Sequence, residues 1–386
     1  NAWEGQKATI YILDGIGGYK CVKNCPVPDW DVSETLNSTG GYTLLKFNGN
    51  LNNSDYVTVE KKYYNDANIN PYYFTLMGIS GTDEMNNKNA YTVNIPNEVD
   101  GKQITELGEN LFYAREYDNR DRLVIIEPYL RIKSVIIPEG IQKISKISDK
   151  TWEDLNPSGT FFLTVNLTSI IFPSTLIEIG DQAFVASNIN SNITIPKSVV
   201  EIGKYVFSSP FTKNSIIFEG AEDGTSSLKI IGDLAFFSEN NNPVSLSVTI
   251  PSSVEKIGEK AFFNNNITNL IIKGAEDGTS RLKFINHLAF YGNSFSTIAF
   301  PNSLEKLGSE SFYRTAEQFN TPIYLPLSLN IVWDNAFVCD YRETTCTFYL
   351  EHTEVPTTFN SNWAGSYARK YVSDGVGGYT CIENCP

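Results

Sequence analysis

The sequence predicts a β-rich solenoid, an elongated fold in which successive short coils of chain share one hydrophobic interior. The first observation is a repeat, whose clearest copy is residues 167–184, LTSIIFPSTLIEIGDQAF. The second is its recurrence, because copies end in phenylalanines spaced 23, 29, 26, 28, 22 and 25 residues apart, at Phe184, Phe207, Phe236, Phe262, Phe290, Phe312 and Phe337. A period of about 20 to 50 residues indicates a solenoid, in which each unit buries its apolar edge against its neighbours.

Each part of the repeat predicts a local structure. Residues 169–172 are mostly β-branched or aromatic and favour a strand. Pro173 ends this strand because proline lacks the N–H that a ladder requires. Residues 176–179 read as a second short extended piece, and residues 181–184 suit a single helical turn, with Phe184 filling one layer of the interior.

The pattern L-x-x-I-x-F-P-x-x-L-x-x-I-G-x-x-A-F resembles the BspA-type leucine-rich repeat family of surface proteins. It recurs through residues 91–345, residues 91–108 are similar to that family's opening turn, and the pattern weakens at residues 141–166. The resemblance implies a leucine-rich-repeat solenoid with a parallel sheet on one face and short strands and single helical turns on the other. It also implies an extracellular, cell-surface and mostly non-enzymatic adhesion or scaffold role, without specifying a ligand.

The two ends of the chain are related. Residues 1–26 and 361–386 align at a constant offset of 360, without a gap and with 13 of 26 positions identical. We therefore predict residues 1–26 as the closing segment of a preceding tandem unit, 27–90 as a linker and β-rich N-terminal cap, 91–345 as the solenoid, and 346–386 as a C-terminal cap with a Cys-containing turn. The alternative is a small Cys-rich turn duplicated at each end.

Composition restricts the partner classes. The 386 residues include 44 acidic and 30 basic side chains, and the formal charge of −14 disfavours nucleic acid and anionic membrane surfaces. No apolar run approaches the roughly 18 residues of a membrane span, so we expect no membrane insertion. The expected partners are a protein or glycan ligand, or neighbouring copies of the chain. Because the sequence begins with Asn1 and not Met, we expect it to be a processed or excised piece of a longer protein.

Two kinds of covalent modification are candidates. The six cysteines form three close couples, and local pairing is the simplest arrangement in an extracellular setting, giving Cys21–Cys25, Cys339–Cys346 and Cys381–Cys385. Weaker glycosylation candidates, relevant only in a glycosylating organism, are the sequons at Asn37, Asn52, Asn166, Asn192 and Asn266.

No catalytic site, cofactor or metal is predicted. A nucleophile needs a base within hydrogen-bond reach, yet neither His287 nor His352 sits beside a Ser or Cys motif, and two histidines are too few to suggest zinc. The motif GAEDGTS, at residues 220–226 and 274–280, offers two carboxylates per copy, whereas calcium takes about six to eight oxygens, so a tight turn is favoured. The glycine-rich residues 374–379 lack the Lys-Ser/Thr of a phosphate loop.

The predicted binding surface is the outward side of the strands. Because strand side chains alternate between two faces, Ile170 and Phe172 point inward and Ile171 points outward. The equivalent outward positions are the binding-face candidates Ile136, Ile171, Thr194, Ile217, Thr249, Ile271, Ala299 and Tyr324. Two residues earlier, a hydroxyl and amide column comprises Ser134, Ser169, Asn192, Ser215, Ser247, Asn269 and Thr297. This uncharged surface favours a contact site, or else its β-branched residues merely favour strands.

Two functions are compatible with this pattern. The first is a non-enzymatic extracellular binding or adhesion module, one unit of a tandem array, that contacts protein or glycan through the outward sheet face. The alternative is a structural building block of a surface filament or sheath, made by head-to-tail stacking of units, because heterologous contacts that do not close generate filaments.

Overall fold

The computed structural model describes residues 166–209, 213–315, 321–338 and 346–385 without interruption and, elsewhere, residues 10–13, 19–23, 30–33, 35–47, 57–58, 91–99, 101–108, 111–112, 115–117, 123–125, 132–144, 159–162, 164 and 319. These residues form strands and turns and contain no helix. No segment of the described chain therefore qualifies as a membrane-crossing helix.

Twenty-eight strands occur in the described residues. Up to residue 144 they are β1 (Ile10–Leu13), β2 (Tyr19–Lys23), β3 (Trp30–Val32), β4 (Tyr42–Phe47), β5 (Val57–Thr58), β6 (Tyr91–Asn94), β7 (Glu98–Val99), β8 (Lys102–Leu107), β9 (Arg115–Tyr117), β10 (Leu123–Ile125), β11 (Ile132–Ile136) and β12 (Lys143–Ile144). Beyond it they are β13 (Ser169–Ile171), β14 (Glu178–Ile179), β15 (Asn192–Ile195), β16 (Glu201–Ile202), β17 (Ser215–Phe218), β18 (Ile230–Ile231), β19 (Leu246–Ile250), β20 (Lys256–Ile257), β21 (Ile267–Ile272), β22 (Phe284–Ile285), β23 (Lys306–Leu307), β24 (Ile323–Leu325), β25 (Ile331–Val332), β26 (Thr347–Leu350), β27 (Arg369–Ser373) and β28 (Tyr379–Glu383).

One sheet, which we call the long sheet, runs along the solenoid. Its strand order is β25-β23-β22-β20-β18-β16-β14-β12-β8-β4-β3, with β7 beside β8. Within this order, neighbouring strands from β25 to β4 pair in parallel. Equivalent residues of successive coils therefore lie side by side; for example, Ile179 lies beside Ile202. The second extended piece of each repeat is therefore one strand of a continuous sheet. Strand β4, from the region predicted as a cap, joins this sheet beside β8.

The first strand of each repeat belongs to a second set, which we call the front strands. They are β6, β11, β13, β15, β17, β19, β21, β24, β26 and β27. They pair in parallel within shorter sheets, β6-β11-β13, β15-β17, β19-β21 and β24-β26-β27, and β28 adds to β27 in antiparallel fashion. Residues 297–300 occupy the same place in their coil without forming a strand. The ladder is thus interrupted where the long sheet is continuous.

Stacked phenylalanine rings fill the interior between the two sets of strands. The seven phenylalanines of the repeat are buried and form one column with Phe112 and Phe161. Consecutive ring centroids in this column lie 5.0–5.5 Å apart, with interplanar angles of 3–17°. Beyond Phe337, the buried Trp363 packs edge-on at 6.2 Å and covers the end of the column. The predicted solenoid with a shared interior is confirmed.

The segments predicted as single helical turns are instead β-turns with a left-handed residue. In the best copy of the repeat, the Ala183 N–H donates to the Gly180 carbonyl at 3.4 Å, and Gln182 between them has a φ of 58°. The same conformation recurs at Tyr205, Leu234, Lys260, Leu288, Glu310 and Asn335. It costs a non-glycine residue roughly 1–2 kcal/mol. In return the Gln182 N–H points along the solenoid and donates to Lys204 O of the next coil at 2.8 Å, which a helical turn would not allow.

Candidate functional site

The front face is the outward side of the front strands. Its large apolar side chains are exposed, with relative accessibilities of 39% at Ile136, 60% at Ile171, 43% at Ile217, 40% at Ile271 and 53% at Tyr324. Of the other candidates, Thr194 and Thr249 are half-buried and Ala299 is exposed. The parallel register places Ile136 beside Ile171, Thr194 beside Ile217 and Thr249 beside Ile271. The structure thus brings the candidates to one side of the solenoid, in a column.

The hydroxyl and amide column lies alongside. Asn192, Ser247, Asn269 and Thr297 are exposed, and Ser134, Ser169 and Ser215 are half-buried. The Asn269 Nδ2 atom donates to the Ser247 Oγ atom of the preceding coil at 2.9 Å. The front face therefore offers apolar contacts and uncharged hydrogen-bonding groups in neighbouring rows.

A groove of about 400 Å³ opens in the front face where the ladder is interrupted between β13 and β15. It is lined by Glu139, Ile170, Ile171, Phe172, Ser174, Asn192, Thr194, Pro196 and Glu219. The Ser174 N–H donates to Glu139 Oε1 at 2.9 Å, and this bond lowers the pKa of the Glu139 carboxyl. The groove combines the most exposed isoleucine of the column with two carboxylates. Sequence reasoning missed these carboxylates because it followed only the outward strand positions.

A cluster of four tyrosines extends the front face towards the C-terminus, and we call it the tyrosine platform. Tyr324, Tyr349 and Tyr371 stack across the parallel strands β24, β26 and β27, with centroid separations of 5.1 and 4.8 Å. Tyr379 packs edge-on against Tyr349 at 4.7 Å. Burial and then the nearby Glu351 carboxylate raise the pKa of Tyr379. Only Tyr324 was a sequence candidate, because the others lie beyond the last repeat, although their alternation in the strands was a usable signal.

Neither histidine belongs to a catalytic arrangement in the described residues. The His287 Nδ1 atom lies 2.8 Å from the Ser309 carbonyl oxygen of the next coil, so His287 links two coils. At the equivalent turn position Asp181 accepts a hydrogen bond from a backbone N–H of the next coil. His352 is half-buried against Phe359, and burial lowers its pKa. The described part of the chain contains no group of three His, Cys, Asp or Glu side chains placed to hold a metal.

The two GAEDGTS stretches form matching tight turns. Asp223 Oδ1 accepts hydrogen bonds from the N–H and hydroxyl of Thr225, at 3.0 and 2.7 Å. Asp277 does the same with Thr279, at 2.9 and 2.6 Å. These bonds lower the pKa of both aspartates. Each aspartate is therefore used within its own turn, in agreement with the turn interpretation, whereas Glu222 pairs with Lys273 outside its turn.

The C-terminal cysteines are bonded, and the remaining candidate pairs are only partly described. Cys381 and Cys385 form a disulfide with their Cα atoms 5.8 Å apart. Cys346 is also disulfide-bonded, and its candidate partner Cys339 lies outside the described residues. For the pair Cys21–Cys25, the structure describes only the backbone of Cys21, so this disulfide stays a prediction.

The sequons differ in accessibility. Asn192 is exposed and lines the groove, so a glycan there would cover part of the front face. Asn37 uses its Oδ1 atom to accept from the Thr39 N–H at 3.0 Å. Asn166 and Asn266 are half-buried, and Asn52 lies outside the described residues. Glycosylation at any of them stays a prediction.

Comparison with known proteins supports the repeat assignment. A family profile described as a BspA type leucine rich repeat region, in six copies, matches residues 157–277, 222–337 and 277–360, together more than half of the chain. The chain is similar to a crystal structure of a leucine-rich repeat protein from Bacteroides ovatus, with 15% identity and a TM-score of 0.50 over 88% of this chain and 67% of that one. It is also similar to a leucine rich cell surface protein from Faecalibacterium prausnitzii, with 13% identity and a TM-score of 0.41 over 96% and 77%. No curated protein matches the sequence.

Proposed function

We propose, from the premise that the chain belongs to the BspA-type leucine-rich repeat family, that it is a non-enzymatic cell-surface binding or adhesion module whose front face contacts a protein or a glycan. Repeat proteins of solenoid form commonly bind through extended surfaces of this kind. We further propose that the protein acts outside the cell, without a cofactor and without nucleic acid as a partner, in keeping with its net charge of −14.

The observation that carries this proposal is the column of uncharged side chains along the front face. The column contains exposed isoleucines, half-buried threonines and, towards the C-terminus, tyrosines, and a hydroxyl and amide row runs beside it. Contact surfaces are typically depleted of charge at their centre and enriched in aromatic residues, with a polar rim. The candidate column has this composition. Charged side chains lie beside it, namely Glu139 and Glu219 at the groove margin, and Glu222 and Lys273, which pair with each other next to Thr249.

The proposed contact centres on the groove and continues to the tyrosine platform. Ile171, the most exposed isoleucine of the column, lines the groove. The tyrosines present rigid aromatic area together with hydroxyls, a combination that suits a protein surface or the apolar side of a sugar ring. A long ligand lying along the strands would contact both regions.

The test compares two triple variants with equal added charge. The front variant carries Ile171→Asp, Ile217→Asp and Ile271→Asp. The control carries Ile177→Asp, Ile331→Asp and Trp333→Asp, which are also exposed but lie on the long-sheet side. The probes are immobilised fibronectin, immobilised collagen and a printed glycan array, which distinguish protein from glycan. We expect the front variant to lose at least about 100-fold in affinity for the probe that binds wild type, and the control less than about threefold.

Equal losses in the two triple variants, with both still folded by circular dichroism, would contradict the front-face proposal. Binding of the front variant as tight as that of the wild type would also contradict the proposal.

A second candidate function is a structural unit of a head-to-tail filament or sheath. The specific observation in its favour is the repetition of the end segments, with 13 of 26 positions identical between residues 1–26 and 361–386. Electron microscopy of native material tests it. Regular fibres with one unit per step would support assembly, and isolated monomers would count against it.

A further inference from the structure

The two repeated end segments form the same hairpin. Strands β1 and β2 pair in antiparallel fashion, as do β27 and β28. The partners in the first hairpin are Ile10 with Lys23, Tyr11 with Cys21, Ile12 with Lys20 and Leu13 with Tyr19. In the second they are Lys370 with Glu383, Tyr371 with Cys381, Val372 with Thr380 and Ser373 with Tyr379. Each pair of the second hairpin lies 360 residues after its counterpart in the first. Both hairpins also have a shift of register directly after their first pair.

The C-terminal hairpin closes its own solenoid. Strand β27 pairs in parallel with β26, the last front strand before it. At the two ends of this contact, the Arg369 N–H donates to Cys346 O and the Ser373 N–H donates to His352 O, both at 2.9 Å. The hairpin segment also buries Trp363 against the last rings of the interior. Pairing with β26 is therefore what this hairpin does in the fold.

The N-terminal hairpin has no such front strand beside it in the described residues, where β1 and β2 form a two-stranded sheet. Its sequence nevertheless keeps apolar side chains at three of the positions that closure buries. Where the C-terminal segment buries Trp363, Ala368 and Val372, the N-terminal segment has Trp3, Ala8 and Ile12. Three further positions differ. Ile10 and Lys23 stand where the C-terminal segment has the buried Lys370 and its partner Glu383, and Glu4 stands where it has the buried Ala364.

We propose that the hairpin β1–β2 is a closing segment for a second copy of this unit, with β1 pairing in parallel with that copy's β26 as β27 does in its own unit. The proposal rests on the second candidate function, head-to-tail assembly, and specifies its contact; it is independent of ligand binding at the front face. Within one closed unit β26 is already occupied by β27. A second copy can therefore receive β1 only when its own closing hairpin is displaced.

The first experiment opens that site in the full chain with Trp363→Ala and Ser373→Pro. The second change removes the N–H that donates to His352 O, and it keeps the neighbouring Asp374 N–H, which donates to Gly378 O inside the hairpin. Light scattering should show concentration-dependent oligomers of this opened variant, with a larger mean mass than that of the wild type at the same concentration. Adding Leu13→Pro, which removes the equivalent N–H of β1, should return the opened variant to monomers.

Oligomers that persist with Leu13→Pro, or an opened variant that stays monomeric, would overturn the proposal. Fibres of native protein that are unaffected by Leu13→Pro would also overturn it, but would leave head-to-tail assembly through another surface in place.

The second experiment does not depend on an opened site. In a full-length variant, residues 6–26 replace residues 366–386, so that Trp363 to Gly365 are retained and only the hairpin is exchanged. We expect a thermal midpoint within about 3 °C of wild type. A matched variant with Asp at the transplanted Ile12, which takes the buried place of Val372, should fall by about 10 °C or more. If the plain exchange falls as far as this control, the two hairpins are not interchangeable and the proposal is wrong.

Discussion

The front face and the outward side of the long sheet share one interior but differ in chemistry. Inward, the long-sheet strands present Ile144, Ile179, Ile202, Ile231, Ile257, Ile285, Leu307 and Val332, all buried. The front strands bury aliphatic residues in the same way. Outward, six long-sheet strands present a charged residue, namely Glu106, Lys143, Glu178, Glu201, Lys256 and Lys306. None of the eight front-face candidates is charged.

This difference bears on why the front face is apolar. Outward β-branched residues can simply favour strand formation, yet strands of the same solenoid form with lysine and glutamate outward. Lys143 and Glu178 even pair across adjacent strands at 3.4 Å, and such exposed pairs contribute only about 0–1 kcal/mol to stability. Strand propensity therefore does not require an uncharged outward side, and a contact function accounts better for the front face.

The largest expected effect tests whether the two sides depend on one interior. Phe236 is buried and stacks at 5.3 Å on both Phe207 and Phe262. Phe236→Ala should lower the free energy of unfolding by about 3–5 kcal/mol, because it leaves a cavity in the column. Phe284 lies outward in β22 and is half-buried, so Phe284→Ala should cost about 1 kcal/mol or less. Denaturant unfolding measures both, and similar losses would contradict a single column-shaped core.

A second expectation concerns the buried lysine Lys213. Lys213 is buried, its Nζ donates to Phe237 O at 3.2 Å, and burial lowers its pKa to about 7. The unfolded chain, with a lysine pKa of about 10.4, binds more protons between pH 7 and 10. The wild-type free energy of unfolding should therefore rise with pH there, by up to about 1.4 kcal/mol per pH unit from this group.

Lys213→Met removes this titration. We expect the variant to be more stable than wild type at pH 7, with a difference that shrinks towards pH 10. Unfolding curves at several pH values measure this, and a difference independent of pH would contradict the assignment.

The smallest expected effect concerns His287, which replaces the aspartate used by other coils. His287→Asp should place a carboxylate where Asp181 accepts a backbone N–H of its next coil at 2.7 Å. The free energy of unfolding should then change by about 1 kcal/mol or less, whereas His287→Ala should lose the link to Ser309 and be the less stable variant. Urea unfolding distinguishes them. A large loss in His287→Asp would show that the imidazole has a role beyond linking coils.

The period of the phenylalanines was enough to predict the column, because stacking identical coils requires one large residue per layer. Strand alternation was enough to predict that Ile171 points outward and Ile170 inward. Phe112 and Phe161 were missed because the residues before each lack the G-x-x-A-F ending, although Thr160-Phe161 repeats the small-then-aromatic order of Ala183-Phe184.

Other features depend on contacts between coils and leave little trace in one coil's sequence. The left-handed turn position is occupied by Gln182, Tyr205 and Leu234 among others, residues that do not favour positive φ, so nothing local distinguishes it from a helical turn. Likewise, the groove depends on β13 and β15 separating, which follows from how the coils stack.

The most direct measurement of the front-face account is oxidative footprinting with and without the bound probe. Tyr324 on the front face and Trp333 on the long-sheet side are matched, with relative accessibilities of 53% and 49%. The probe is whichever fibronectin, collagen or array glycan binds the wild type. We expect hydroxyl-radical oxidation of Tyr324 and Tyr349 to fall severalfold on binding while that of Trp333 stays unchanged. Protection of Trp333 with Tyr324 unprotected would place the ligand on the long sheet and contradict the account.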